Sequence, residues 1–286
     1  KNSDMKILVP TDFSETAVSA LNYSLTLFKG KSCSFYLLCI REASNYISDE
    51  LLQSDPHESL YDSLILKNRK KLDELVKELK NQFSGEDYTF KTIADYNGFT
   101  DSIKKVIALE KIDLIVMGNN GSHGAKEVIF GSHSLRVIRK VPAHVLVVPK
   151  DHLYNRLEKI LISMDYDQVL DPSEIGPLRK IISESQIFVE FLQLKKEEFD
   201  ELLWKDQSEK LDKNFKDLNF TFQTITGVYF VAAVCSMVQI QKPELLVLQA
   251  EKEKFLERFF YTSKISSIIK KSGIPVLILH PISEKE

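Results

Sequence analysis

A chain of 286 residues that is 43% hydrophobic and 28% charged is long enough for two globular domains and too apolar to be disordered. Its formal net charge of -3 is too small to hold nucleic acid or a membrane surface by field alone, and neither partner is expected. Cys33, Cys39 and Cys235 contain no C-x-x-C pair and are odd in number, which argues against a disulfide framework or zinc site and suits a reducing cytoplasm. No apolar run reaches the roughly 18 residues of a membrane span, and no secretory leader is seen.

In chain order, residues 7–9 read as a short apolar strand. Ser14 then caps a helix in which Ala17, Leu21, Leu25 and Phe28 recur at helical spacing. Residues 35–40 form a second strand. Residues 60–83 are a long amphipathic helix with Leu64, Leu72, Leu75 and Leu79 inward. A strand over 88–93, a helix over 100–109 and a strand over 114–117 follow. A helix over 132–140 and a strand over 144–148 complete the series.

The series then repeats. Lys6-Ile-Leu-Val-Pro-Thr-Asp12 is echoed by Lys159-Ile-Leu-Ile-Ser-Met-Asp165, and Thr89-Phe-Lys-Thr-Ile93 by Thr221-Phe-Gln-Thr-Ile225. Asp113-Leu-Ile-Val-Met117 is echoed by Glu244-Leu-Leu-Val-Leu248, and the strand ending at Val148 by the one ending at Leu279. Echoes in one order at nearly the same separation mark a duplication, with domains over 1–150 and 151–286 joined by a short polar stretch. Strands apolar on both faces and separated by helices imply parallel sheets covered on both sides. The fold class is therefore α/β: two tandem, doubly wound, five-stranded parallel sheets. Such sheets take ligands beyond the carboxyl ends of their strands, where the strand order switches.

One loop at that end carries chemistry. Gly118, Asn119, Asn120 and Gly121 are followed after nine residues by Gly131, Ser132, His133 and Ser134. Gly118 and Gly121 are expected to let the backbone approach a ligand closely. Gly131 and Ser132 open a helix whose first N–H groups form an anion site. Ser132 and Ser134 offer hydroxyls to phosphate oxygens, and His123, Lys126, His133 and Arg136 offer positive charge. Valine at Gly118 or Gly131 is expected to remove binding and spare the fold. There is no Gly-x4-Gly-Lys-Ser/Thr loop and no Gly-x-Gly-x-x-Gly turn after the first strand, which disfavours a P-loop NTPase and a dinucleotide-dependent dehydrogenase.

The opening Lys6-to-Glu15 stretch, the loop over 118–132 and the closing Val141-Pro-Ala-His-Val-Leu-Val-Val148 resemble the universal stress protein family, and the repeat makes the chain similar to its tandem members. That resemblance implies a Rossmann-like, adenine nucleotide alpha hydrolase-like fold. It implies a stress-response or signalling protein that binds ATP or AMP, with Mg²⁺ accompanying ATP and a protein partner of unknown identity. It places Asp12 near the adenine or its ribose with Pro10 and Thr11 beside it, Ile40 on the base and Met117 under it. Gly118, Gly121, Gly131, Ser132 and Ser134 then surround ribose and phosphates. Asn120 stands where many members carry histidine, which removes a charge from the phosphate end. ATP hydrolysis is expected to be slow at most, and the alternative is an interaction scaffold in which neither half binds nucleotide. Family members commonly dimerise through their last strands, so residues 145–148 and 276–279 are expected to pair as an internal pseudo-dimer, and a homodimer of the tandem unit is a further expectation.

The second copy keeps Asp165 but has Gln249, Lys252 and Thr262-Ser263 in place of Gly118, Gly121 and Gly131-Ser132. Glu251, Glu253 and Glu257 in the intervening charged run repel phosphate. No nucleotide is expected in this half.

Overall fold

The computed structural model describes residues 4–40, 60–119, 132–150, 152–165, 175–182, 187–195, 218–250 and 257–281, together with residues 209, 213 and 215. The first half runs β1 (Met5–Pro10), α1 (Glu15–Leu27), β2 (Cys33–Ile40), α2 (Leu60–Gln82), β3 (Tyr88–Asp95), α3 (Phe99–Glu110), β4 (Leu114–Asn119), α4 (Ser132–Lys140) and β5 (Val145–Pro149). The second runs β6 (Lys159–Asp165), α5 (Gly176–Ile182), β7 (Phe188–Lys195), β8 (Asn219–Thr226), α6 (Phe230–Gln241), β9 (Leu245–Gln249), α7 (Glu257–Ser272) and β10 (Val276–Leu279). Every expected element of the first half is present, its ends within two residues of the sequence reading.

All ten strands join one sheet in the order β3-β2-β1-β4-β5-β10-β9-β6-β7-β8. Within each half every pairing is parallel, and the strand order switches between β1 and β4 and again between β6 and β9. The halves meet where β5 and β10 run antiparallel, with Val147 opposite Val276, Leu146 opposite Leu277 and Val145 opposite Ile278. The expected pairing of the last strands is thus the seam of the molecule, and it seals two sheet edges that would otherwise stand open. The backbone N–H of His280 donates to His144 Nδ1 at 3.2 Å across this seam. His144 is buried, and desolvation lowers its pKa to about 4, with Asp113 partly opposing. The neutral imidazole is the form that accepts this hydrogen bond.

Alternation along the strands builds two cores, one on each face of the sheet and each running through both halves. On one face Ile7, Val9, Phe35, Leu37 and Val116 pack with Leu21 and Leu25 of α1 and Leu72 and Leu79 of α2. On the other Leu8, Leu38, Ile115 and Met117 pack with Ile103 of α3 and Val137 of α4. Each such side chain, buried, contributes about 1.5–3 kcal/mol relative to exposure. Cys33 and Cys39 belong to the first core, and burial pushes the Cys33 thiol up to about 12, so it stays protonated and unreactive.

The duplication extends to individual hydrogen bonds. Lys6 N–H donates to Asp113 Oδ2 at 2.8 Å, and Lys159 N–H donates to Glu244 Oε2 at 2.7 Å. Lys111 and Lys242 close α3 and α6 in the left-handed region, with φ of 55° and 48°. Their N–H groups bond back to Ile107 and Val238. Among the described residues no helix is long and apolar enough to cross a membrane.

Candidate functional site

The carboxyl ends of β1, β2 and β4 converge at the first switch in strand order and leave a cavity of about 320 Å³. Pro10, Thr11 and Asp12 enter it from β1, Leu38 and Ile40 from β2, and Met117 and Gly118 from β4. Ser14, Thr16 and Ala17 at the start of α1, Phe99 at the start of α3, and His133 and Ser134 at the start of α4 complete the lining. Of the residues singled out in the sequence, Pro10, Thr11, Asp12, Ile40, Met117, Gly118, His133 and Ser134 thus share one cavity. Ser132 is the first residue of α4. Asn120, Gly121, His123, Lys126 and Gly131 lie outside the described residues. Arg136, on α4, does not line the cavity.

Local chemistry fixes the rim. The Ser14 hydroxyl accepts from Ala17 N–H at 3.3 Å and caps α1. Asp12 Oδ1 accepts from Ser14 N–H at 3.0 Å, and Thr11 Oγ1 accepts from Phe13 N–H at 3.1 Å. These two bonds hold Phe13 at φ 65°, a left-handed conformation costly for an aromatic residue, so the turn from β1 into α1 carries strain at the mouth of the cavity. Asp12 is exposed at this turn. The rings of His133 and Phe99 meet edge-on, 4.4 Å between centroids and 64° between planes, and form one wall.

Two sequence expectations need correcting. A β-carbon on Gly118 would lie 2.4 Å from the Thr16 carbonyl oxygen and 2.6 Å from Thr16 Cγ2. The group that approaches Gly118 closely is the backbone of α1, so valine there would displace the helix and would not spare the fold. Ser134 is buried, and its hydroxyl donates to Gly118 O at 3.2 Å. Its proton ties α4 to β4 and is not offered to phosphate. Phe99, Leu38 and Thr16 were missed because each reads in sequence as an ordinary core or helix residue. Only the strand order brings them to the cavity.

The second half differs at the same place. Ile7 faces Leu114 across β1–β4 as Ile160 faces Leu245 across β6–β9, which sets Gln249 where Gly118 stands. Gln249 is buried there. Most telling is the last helix. Ser132 begins α4, but its counterpart Ser263 lies inside α7, which already starts at Glu257. Amides at 262–263 therefore bond to carbonyls one turn earlier and are not presented outward.

Residues 5–149 match the profile described as the Universal stress protein family. A universal stress protein of Methanocaldococcus jannaschii is 31% identical over 161 residues, spanning 51% of this chain and 94% of its own length. A second from the same organism is 25% identical over 151 residues, spanning 52% of this chain and 85% of its own. The crystal structure of a universal stress protein from Archaeoglobus fulgidus shares the fold over both halves, with a TM-score of 0.65, 15% identity and 96% coverage of each chain. With the profile extending over half of its length, the chain belongs to the universal stress protein family.

Proposed function

We propose that the first half, residues 1–150, binds ATP or AMP in the cavity at the β1–β4 switch, that the second half, residues 151–286, binds none, and that the protein acts as a nucleotide-responsive component of stress or signalling pathways. The observation that carries this reading is the convergence of Pro10, Thr11, Asp12, Ile40, Met117 and Gly118 with the start of α4 around one cavity of about 320 Å³. That volume lies in the range of small-molecule sites, about 300–1,000 Å³. Leu38, Ile40 and Met117 supply an apolar bed for a purine. Asp12 is placed to accept from a base amine or a ribose hydroxyl. The start of α4 supplies the positive end of a helix dipole to phosphate. Mg²⁺ accompanies ATP through phosphate oxygens and water, as is usual for this ion. In the second half the early start of α7 and the Gln249 side chain support the absence of a phosphate cradle.

Isothermal titration of the full chain with ATP and with AMP, each with and without Mg²⁺, tests this. The expected result is one site per chain and a raised unfolding temperature in saturating nucleotide, as mass action requires of any ligand bound only by the folded state. Absence of both heat and thermal protection overturns it. Gly131→Val is the variant of choice for abolishing binding, because Gly118→Val perturbs α1 as well.

A further inference from the structure

Lys91, on the outermost strand of the first half, bridges that strand to its neighbouring helix. Its Nζ lies 3.2 Å from Glu110 Oε2 at the end of α3 and 3.1 Å from the Tyr36 hydroxyl. Asp95, Asp101, Lys104 and Lys105 add further charge along this β3–α3 unit. The second half repeats the unit as β8 and α6 and has no charged residue from Asn219 to Gln241, in a chain that is 28% charged. The backbone frame is common to both; the surface charge on it is not. β8 ends the sheet and among the described residues pairs with β7 alone, so one row of its backbone N–H and C=O groups points outward. Thr221 and Gln223 are exposed on it. On α6, Ala233, Val234, Met237 and Val238 point inward. Burial raises the Cys235 thiol and Lys271 of α7 partly opposes this, which puts Cys235 on the side of α6 that meets α7. Ser236 and Ile240 then fall on the other flank, away from the seam and toward β8. Ile240 is 69% exposed, and Tyr229, just before α6, is 90% exposed. Charge returns at the borders, with Lys242 after α6 and Lys264 of α7 over the Phe230 ring, 5.7 Å from its centroid.

We propose that two copies of the chain associate through this outer end of the second half, their β8 strands paired antiparallel about a twofold axis. β5 and β10 are already spent on the internal seam, which leaves β3 and β8 as the sheet's two edges. Joining β8 to β3 of another copy would strip water from the Lys91–Glu110 bridge and leave an edge open at each end, so growth would not close. Joining β8 to β8 brings no charge into the contact, satisfies the outward backbone groups of both strands and closes the assembly. The strand is eight residues long, about 26 Å of edge. An axis perpendicular to the sheet keeps the two α6 flanks on one face of the joint, where Ile240 and Tyr229 add apolar area to the main-chain bonds. Depletion of charge with an exposed aromatic residue is the composition of an interface core rather than of free surface.

Sedimentation velocity of the full chain without added nucleotide, over a hundredfold range of concentration, tests this. A monomer–dimer equilibrium is expected. Gln223→Lys sets like charges against each other at mid-strand, next to the axis, and Ile240→Lys charges the α6 flank. Each should weaken the dimer by about tenfold or more, whereas Leu109→Lys, the matching change on α3, should leave it unaltered. Hydrogen exchange separates this joint from any other, because amides within residues 219–226 should gain protection as the dimer forms. A chain that stays monomeric, a dimer left intact by Gln223→Lys, one weakened equally by Leu109→Lys, or a dimer that forms without protecting β8 each overturns the assignment.

Discussion

The two halves share a scaffold and differ at one end of it. At the amino ends of their strands they match bond for bond: a lysine N–H on an acidic side chain, and a left-handed lysine closing the neighbouring helix. At the carboxyl ends they diverge. The first half keeps Gly118, a helix that begins directly behind β1, and an α4 whose first turn faces a cavity. The second half replaces the glycine by a buried glutamine and extends α7 through the position where α4 begins. Duplication preserved what each sheet needs to fold, and the divergence is concentrated where a ligand would sit.

The largest expected effect comes from transplanting bulk onto the glycine. In Gly118→Val the new side chain meets the Thr16 backbone, which cannot rotate away as a side-chain tip would. A cost of about 3 kcal/mol or more in urea unfolding is expected, with loss of ATP binding as α1 shifts. The reciprocal change, Gln249→Gly, should gain no nucleotide binding, because α7 still begins at Glu257. A titration showing ATP heat in the second half of that variant would break the contrast.

Next is the seam, where the halves depend on each other. The imidazole of His144 has its pKa lowered to about 4 by burial, against an ordinary value near 6.5. Between these values the unfolded chain binds the proton that the folded chain refuses, so folding stability is complete above about pH 6.5 and falls as pH drops toward 4. The full loss is about 3 kcal/mol. His144→Asn should flatten this part of the pH profile. An unchanged slope between pH 6.5 and 4 in that variant would remove His144 from the account.

Glu190 supplies the opposite sign. It stands in β7 where register places Tyr36 in β2, since Ser34 faces Lys6 as Phe188 faces Lys159. It is buried, and among the described residues neither carboxylate oxygen has a hydrogen-bond partner. Burial pushes its pKa above the ordinary carboxylate range, with Lys159 partly opposing. The folded chain therefore holds a proton the unfolded chain releases, and this half loses stability as pH rises through that raised value. Glu190→Leu should be more stable than the parent by about 2 kcal/mol at pH 8, the gain shrinking as pH falls through that raised value to the ordinary carboxylate range and changing no further below it. A constant difference at all pH values would mean that the carboxyl is not the cause.

Much of this was legible in the sequence, because periodicity and local chemistry carry it. The alternation and apolar runs of the first half located all nine of its elements, and Ser14 marked the start of α1. The apolar ends at Val148 and Leu279 pointed to the seam. What sequence could not show depends on distant approach. Nothing beside Gly118 announces Thr16, a hundred residues earlier, as the group that forbids a side chain there. Ser134 reads as a spare hydroxyl until β4 is laid alongside α4. Phe99 reads as one more apolar residue at a helix start and becomes a cavity wall only through the order β1-β4 in the sheet.

The smallest expected effect tests the shared part of the scaffold. Lys111 and Lys242 adopt φ of 55° and 48° at the ends of equivalent helices, a conformation that costs a residue with a β-carbon about 1 kcal/mol and a glycine almost nothing. Glycine would relieve that strain and, in turn, give up part of the gain to the greater freedom of its unfolded chain. Both lysines are exposed, so the lost charge matters little. Lys111→Gly and Lys242→Gly should therefore each stabilise the protein by about 0.5 kcal/mol, equally and additively, since the two sites share no neighbours. Urea midpoints of the two single variants and the double variant measure this. Unequal effects would show that the halves differ at their amino ends as well, and that the divergence is not confined to the end bearing the cavity.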